Sequence, residues 1–288
     1  MRFMSAALIP PSAGLADLIK AYVVRSTFDQ PMPACGWRLS RYPAMTFCGL
    51  TFLLRGEARW LPLEVDLRQD ALTPAHPRLR TTPPTFVNGP LTRPLSGIEL
   101  TPVETVTLAF YAPAFHAFSG TRPDALRDCP AEDPALLGDW VGSLRQALLD
   151  EPDTARRVEC IEAFLTPRWA ATRDRLDRRW LDAGQLLSRV GVRAAALWLR
   201  WSARSLERQI ERSYGIAPRD VRKLHRAQDA FLAARDANRA DLATLAAEHG
   251  YTDQSHLSRD ISAMSGEPPK RLLDKVKSDD DSFWVYRL

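Results

Sequence analysis

The sequence predicts an α+β protein with a β-rich N-terminal part, a helical linker and an all-α C-terminal part. Three observations predict it. Up to about residue 125, short apolar runs are separated by Pro, Thr and Gly turn residues. From Pro134 the apolar spacing becomes helical. Beyond residue 190, a short helix, a tight turn and a longer polar helix occur in that order twice, about fifty residues apart.

A chain of 288 residues is longer than one small core usually organises, so more than one domain is expected. The expected boundaries are 1–133 for the β-rich part, 134–183 for a helical linker or dimerisation region, 184–278 for the paired helical units and 279–288 for a tail. Apolar residues make up 45% and charged residues 26%, which suits a folded globular chain. No run approaches the roughly 18 apolar residues of a membrane helix. The first fifteen residues meet Pro10-Pro11 early and make a poor secretion signal, so a cytoplasmic protein without membrane partners is expected. Residues 171–288 carry 22 Lys+Arg against 17 Asp+Glu, whereas the rest of the chain is close to neutral. A basic C-terminal half favours a polyanionic partner.

In the first part, Ala44–Leu54, Thr85–Val87 and Glu104–Tyr111 read as strands of a sandwich or barrel. Leu15–Val24 reads equally as a short helix or an edge strand. Asn88-Gly89 signals a turn. In the linker, Leu136, Leu137, Trp140, Leu144 and Leu148 share a helical face, and Val158, Ile161 and Leu165 share another behind the N-cap Asp153. Pro152 and Pro167 are expected to bracket that second helix. A third, highly charged helical stretch is expected from Ala171 to Val190. These helices serve either as a bridge or dimer surface, or simply as packing for the β domain.

The cysteines Cys35, Cys48, Cys129 and Cys160 form no CxxC pair and lie at zinc-ligand spacing from no histidine. His76 and His116 in the β-rich part are forty residues apart, and His225 and His249 lie elsewhere. With no GxSxG, P-loop or dinucleotide fingerprint, neither an enzyme nor a cofactor is expected.

In the first helical unit an apolar helix, Val192–Leu199, breaks at Arg200-Trp201. Ser202 then caps a helix over 202–214 that ends at Gly215, with Leu206, Ile210 and Tyr214 on one stripe. In the second unit Asp241 caps a short helix, Gly250-Tyr251-Thr252 turns, and a helix over 253–265 buries Leu257, Ile261 and Met264. Between them Pro218–Arg235 forms a stiff spacer with Val221, Leu224, Ala227, Phe231 and Leu232 inward. A polar, Arg-bearing helix on such a scaffold suits the DNA major groove, where Arg pairs with guanine and Gln with adenine.

Ser202-Ala203-Arg204-Ser205-Leu206-Glu207-Arg208, Gly215-Ile216-Ala217-Pro218, Gly250–Arg259 and Gly266-Glu267-Pro268-Pro269 resemble regulators of the AraC/XylS type over about 100 residues. The resemblance implies two DNA-reading subdomains whose base-facing positions fall on Arg204, Glu207 and Arg208, and on Gln254, Ser255, His256 and Arg259. It also implies a cupin-like N-terminal domain sensing a small molecule, a homodimer, and RNA polymerase as a further partner. The chain departs from the pattern at Ile261-Ser262, where many members carry an aromatic and a basic residue, and at the large Trp198 and Trp201. The alternative expectation is a small-molecule-binding or enzymatic β domain with a helical protein-interaction module. The run Asp279–Asp281 and the aromatic residues Phe283, Trp284 and Tyr286 read as a tail folding back on itself or as an interaction tail.

Overall fold

The computed structural model describes residues 6–63, 73–129, 132–181, 183–237, 241–278 and 280–288. Nine strands form two antiparallel sheets within these residues. The first sheet runs in the order β1 (Ala6–Ile9), β2 (Ile19–Ser26), β9 (Glu104–Tyr111), β4 (Phe47–Arg55) and β7 (Thr85–Asn88). The second runs β3 (Arg38–Tyr42), β8 (Leu95–Glu99), β5 (Ala58–Leu61) and β6 (Arg80–Thr81).

The first sheet is covered on both faces, which explains the nearly continuous apolar run of β4. Alternate residues of a strand point to opposite faces. Tyr22 and Val24 of β2, Leu50 and Phe52 of β4 and Val106, Leu108 and Phe110 of β9 join one buried cluster with the helices α1 (Ala112–Ser119), α2 (Trp140–Asp150) and α3 (Thr154–Thr172). The intervening residues Val23, Arg25, Thr51, Leu53, Thr105 and Thr107 face a cavity between the sheets. The helices therefore pack on the β domain through Leu144, Leu148, Ile161 and Leu165, all fully buried. Each such side chain contributes roughly 1.5–3 kcal/mol through the water it leaves.

Several local expectations are corrected. Leu15–Val24 is neither a helix nor an edge strand. A single short turn at Ala13–Leu15 leads into β2, which lies between β1 and β9. Asn88-Gly89-Pro90 makes no hairpin, because it carries the chain from one sheet to the other. Gly89 lies so close there that a Cβ would fall 2.0 Å from the Leu126 carbonyl oxygen. Pro167 does not end a helix. It sits inside α3, where Leu165 and Trp169 on either side are buried against the sheet and hold the helix through the missing bond. Residues 173–180 form two short 3-10 turns instead of a long helix, since Asp177 caps the second of them and Trp180 is drawn into the core.

The C-terminal part contains α4 (Ala183–Trp198), α5 (Ala203–Tyr214), α6 (Pro218–Asp236), α7 (Leu242–Glu248), α8 (Gln254–Ser265), α9 (Pro269–Lys277) and a 3-10 segment, Asp281–Arg287. A second core cluster joins these helices through Leu206, Ile210, Val221, Ala227, Leu245, Leu257, Ile261 and Leu272. Gly191 breaks α4 at φ 76°, ψ 169°, a conformation open to glycine. Of the tail, Asp279 lies outside the described residues, as does the side chain of Trp198.

Candidate nucleic-acid interface and effector cavity

Each longer helix of the two units begins with a side-chain cap and ends in a left-handed glycine. The Ser202 hydroxyl accepts from the Ser205 amide at 3.1 Å, and Gly215 closes α5 at φ 75°. The Asp253 carboxylate accepts from the His256 amide at 2.8 Å, and Gly266 closes α8 at φ 79°. Asp241 caps α7 through the amides of Ala243 and Thr244. Such caps satisfy amides that the first helical turn leaves unpaired.

Both helices are seated on the N-terminal part by their C-terminal ends. A Cβ on Gly215 would fall 2.5 Å from the Pro123 carbonyl carbon. At the end of α8, the Ala44 amide donates to the Met264 carbonyl at 2.8 Å, and Arg41 pairs with Glu267 at 3.8 Å. The opposite, N-terminal turns are open to solvent. Arg204, Glu207 and Arg208 on α5 are exposed, as are Gln254, Ser255 and Arg259 on α8. The buried stripes are Leu206, Ile210 and Tyr214, and Leu257, Ile261 and Met264. Ile261 thus fills the core position at the departure from the AraC pattern, and Trp201 packs edge-on against Trp180 at 5.4 Å.

His256 is placed differently from its neighbours. Its Nε2 lies 3.2 Å from an Arg226 Nη2, and its ring meets Tyr251 edge-on at 5.1 Å. A guanidinium only donates, so Nε2 accepts and the ring proton sits on Nδ1. One nitrogen of the half-buried ring is thereby engaged inside the protein.

Arg226 was not among the residues singled out from the sequence. It lies on the spacer α6 and is 8% exposed. It donates to the Gly250 carbonyl at 3.2 Å and to Asp260 Oδ2 at 3.1 Å, and its guanidinium lies 3.8 Å over the Tyr251 ring. It therefore ties α6, the turn at Gly250 and α8 together. The only sequence signal was an arginine close to the apolar stripe of a helix that is otherwise polar outward.

The second feature is the cavity between the two sheets, about 370 Å³ in volume. Its walls from the sheets are Val23, Leu53, Trp60, Phe86 and Thr107, and the helical part closes it with Phe231, Leu232, Met264 and Trp284. The Thr51 and Thr107 hydroxyls in its wall bond one another at 2.9 Å. Ligand cavities of this size and apolar character are common small-molecule sites. Among the described residues no group of three metal-ligating side chains gathers, and no helix is long and apolar enough to cross a membrane.

Residues 196–275 match the family model of a helix-turn-helix domain, the AraC-type unit. A search of curated proteins gave no match. Among solved structures, ToxT from Vibrio cholerae is similar. Its 1.65 Å structure is 10% identical, with a TM-score of 0.44, over 83% of this chain and 97% of that one. An apo variant of ToxT is 10% identical, with a TM-score of 0.45, over 88% and 97%. A form bound to an unsaturated fatty acid is 10% identical, with a TM-score of 0.41, over 82% and 94%.

Proposed function

We propose, from the premise that residues 196–275 are an AraC-type helix-turn-helix domain, that this chain is a sequence-specific transcription regulator controlled by a small molecule. The observation that carries the reading is the pair of capped helices, each buried along one stripe and seated by its C-terminal end, with its polar N-terminal turn outward. The spacer α6, at 19 residues, is roughly 28 Å long, which suits two reading heads in successive major-groove segments about 34 Å apart. Arg204, Glu207 and Arg208 form the base-facing set of the first head. Gln254, Ser255 and Arg259 form that of the second, with His256 contributing Nδ1–H.

The effector occupies the cavity between the sheets. Because Phe231, Leu232 and Met264 belong to the DNA-reading half, an occupant touches both halves and has a physical route to bias one through the other. A second copy of the chain and RNA polymerase complete the partners of this reading, and the cytoplasm is its compartment.

Replacing Gln254 or Arg259 with Ala should weaken binding to the preferred duplex by roughly 1–3 kcal/mol and relax base preference at one position. Binding isotherms on the preferred duplex and on single-base variants measure both. Unchanged affinity and unchanged preference in the two variants would remove α8 as a reading head.

A further inference from the structure

The two helical units end their first helices in the same turn but fill it with different residues. At the end of α4 the Arg200 amide donates to the Leu197 carbonyl at 3.1 Å, and the Trp201 amide to the Ala196 carbonyl at 2.9 Å. At the end of α7 the Gly250 amide donates to the Ala247 carbonyl at 3.2 Å, and the Tyr251 amide to the Ala246 carbonyl at 2.8 Å. This pair of bonds belongs to a helix end that turns through one left-handed residue. In the second unit that residue is Gly250, at φ 67°, with open space where a Cβ would stand. In the first it is Arg200, at φ 57°. Glycine adopts this conformation freely, whereas a Cβ is strained in it. Asp128 is the other non-glycine residue with positive φ among the described residues, and its carboxylate is spent locally on the Thr92 amide and hydroxyl. Arg200 is exposed and forms no ion pair among the described residues. Its strain therefore serves nothing inside the chain.

Its position and the surrounding charge say what it serves outside. Arg200 stands two residues before the Ser202 cap, at the solvent-facing end of α5 that also carries Arg204. Arg193 and Leu197 precede it on the exposed side of α4, and Leu197 is 81% exposed. The matching positions of the second unit hold Ala243, Ala247 and Gly250. Residues 192–215 contain five arginines against two glutamates, whereas residues 241–266 contain one arginine against four acidic residues. Arg226 of the spacer offsets Asp260, and the second unit stays acidic even so. Attraction to a phosphate backbone thus enters through the first unit.

We propose that Arg200 grips a DNA phosphate at the rim of the groove that α5 enters, and that glycine is replaced there for this contact. The proposal rests on the DNA-reading role argued above and adds a contact that seats it. The first helix of such a unit crosses the backbone while the second enters the groove. A residue between the two stands at the groove wall, where the phosphates lie. A guanidinium meets two phosphate oxygens at once, and the exposed Leu197 beside it suits the apolar edge of the adjoining deoxyribose. Such a contact sets position and carries no sequence information.

The test uses the full chain with two duplexes, one of preferred and one of scrambled sequence, titrated across roughly 50–200 mM salt. Arg200→Gly relieves the strained backbone, so its urea midpoint should be no lower than the parent's. It should weaken both duplexes by the same factor, about fivefold at roughly 0.1 M salt, and flatten the slope of log affinity against log salt by about 0.9. Arg200→Lys keeps the charge and should keep the slope. Parent affinity and slope in Arg200→Gly would overturn the proposal and leave the two reading heads standing. A loss confined to the preferred duplex would overturn it by making Arg200 a base contact. A lowered urea midpoint, with Arg200→Lys as weak as Arg200→Gly, would overturn it by making the residue structural. A parent that binds neither duplex would remove the DNA-reading role itself, and this contact with it.

Discussion

Substituting Arg226 with Met should destabilise the protein by about 3–5 kcal/mol, as expected when one partner of a buried ion pair is removed. The side chain is nearly isosteric, so volume is largely kept and the loss is electrostatic. Asp260, itself 8% exposed, would keep a buried carboxylate without its guanidinium. The Gly250 carbonyl in the turn would lose a donor, and Tyr251 the cation over its ring. Denaturant unfolding measures the loss. The paired substitution Arg226→Met with Asp260→Leu should recover most of it, because no charge is then left buried. If the single variant were as stable as the parent, the clamp between spacer and second reading helix would carry no weight. Duplex binding by the folded fraction of the single variant should also weaken, since α8 loses the contact that sets its tilt on α6.

A second large effect concerns acid. His225 on α6 packs between the two halves, its Nε2 3.3 Å from the Thr46 hydroxyl and its ring edge-on to Tyr214 at 6.4 Å. Burial first, and the nearby Lys20 charge second, push its pKa from the usual 6.5 down to about 4. A group depressed in the folded state contributes stability that is present above its unfolded pKa and disappears as pH falls through the folded one. The loss therefore runs between pH 6.5 and about 4 and amounts to about 3 kcal/mol, from a shift of this size at 1.36 kcal/mol per unit. Comparing denaturation of the parent and His225→Gln across that range isolates it from the carboxylates. The parent should lose about 3 kcal/mol more than the variant. Parallel curves would mean that the imidazole is not held neutral between the halves.

The elements of the DNA-reading half were legible because their signals are local. Ser202, Asp241 and Asp253 announce helix starts, Gly215 and Gly266 announce ends, and the stripes Leu206–Ile210–Tyr214 and Leu257–Ile261–Met264 repeat at helical spacing. The strand β9 was legible for the same reason, by its alternation. What escaped the sequence depends on contacts far along the chain. Nothing near Ile19 says that its strand lies between two others, and nothing near Pro167 says that a sheet will hold the helix through it. Arg226 reads as a solvated arginine until Gly250, 24 residues on, and Asp260, 34 residues on, are brought to it. The cavity is invisible for a related reason. Its lining alternates with core residues along each strand, so Thr51 and Thr107 read as the wet face of a half-buried sheet, when they face a second sheet. The tail was expected to fold on its own aromatic residues or to bind elsewhere. Instead Trp284 reaches Ser40, 244 positions earlier.

The central claim is that α5 and α8 read duplex DNA together from one rigid spacer. Selection of bound fragments from a random duplex pool by the purified full chain tests it most directly. Two short enriched blocks centred about one helical turn, roughly 10 bp, apart are expected, with the block read by α8 losing definition in Gln254→Ala. No enrichment, or a single block indifferent to substitutions in α8, would contradict the account.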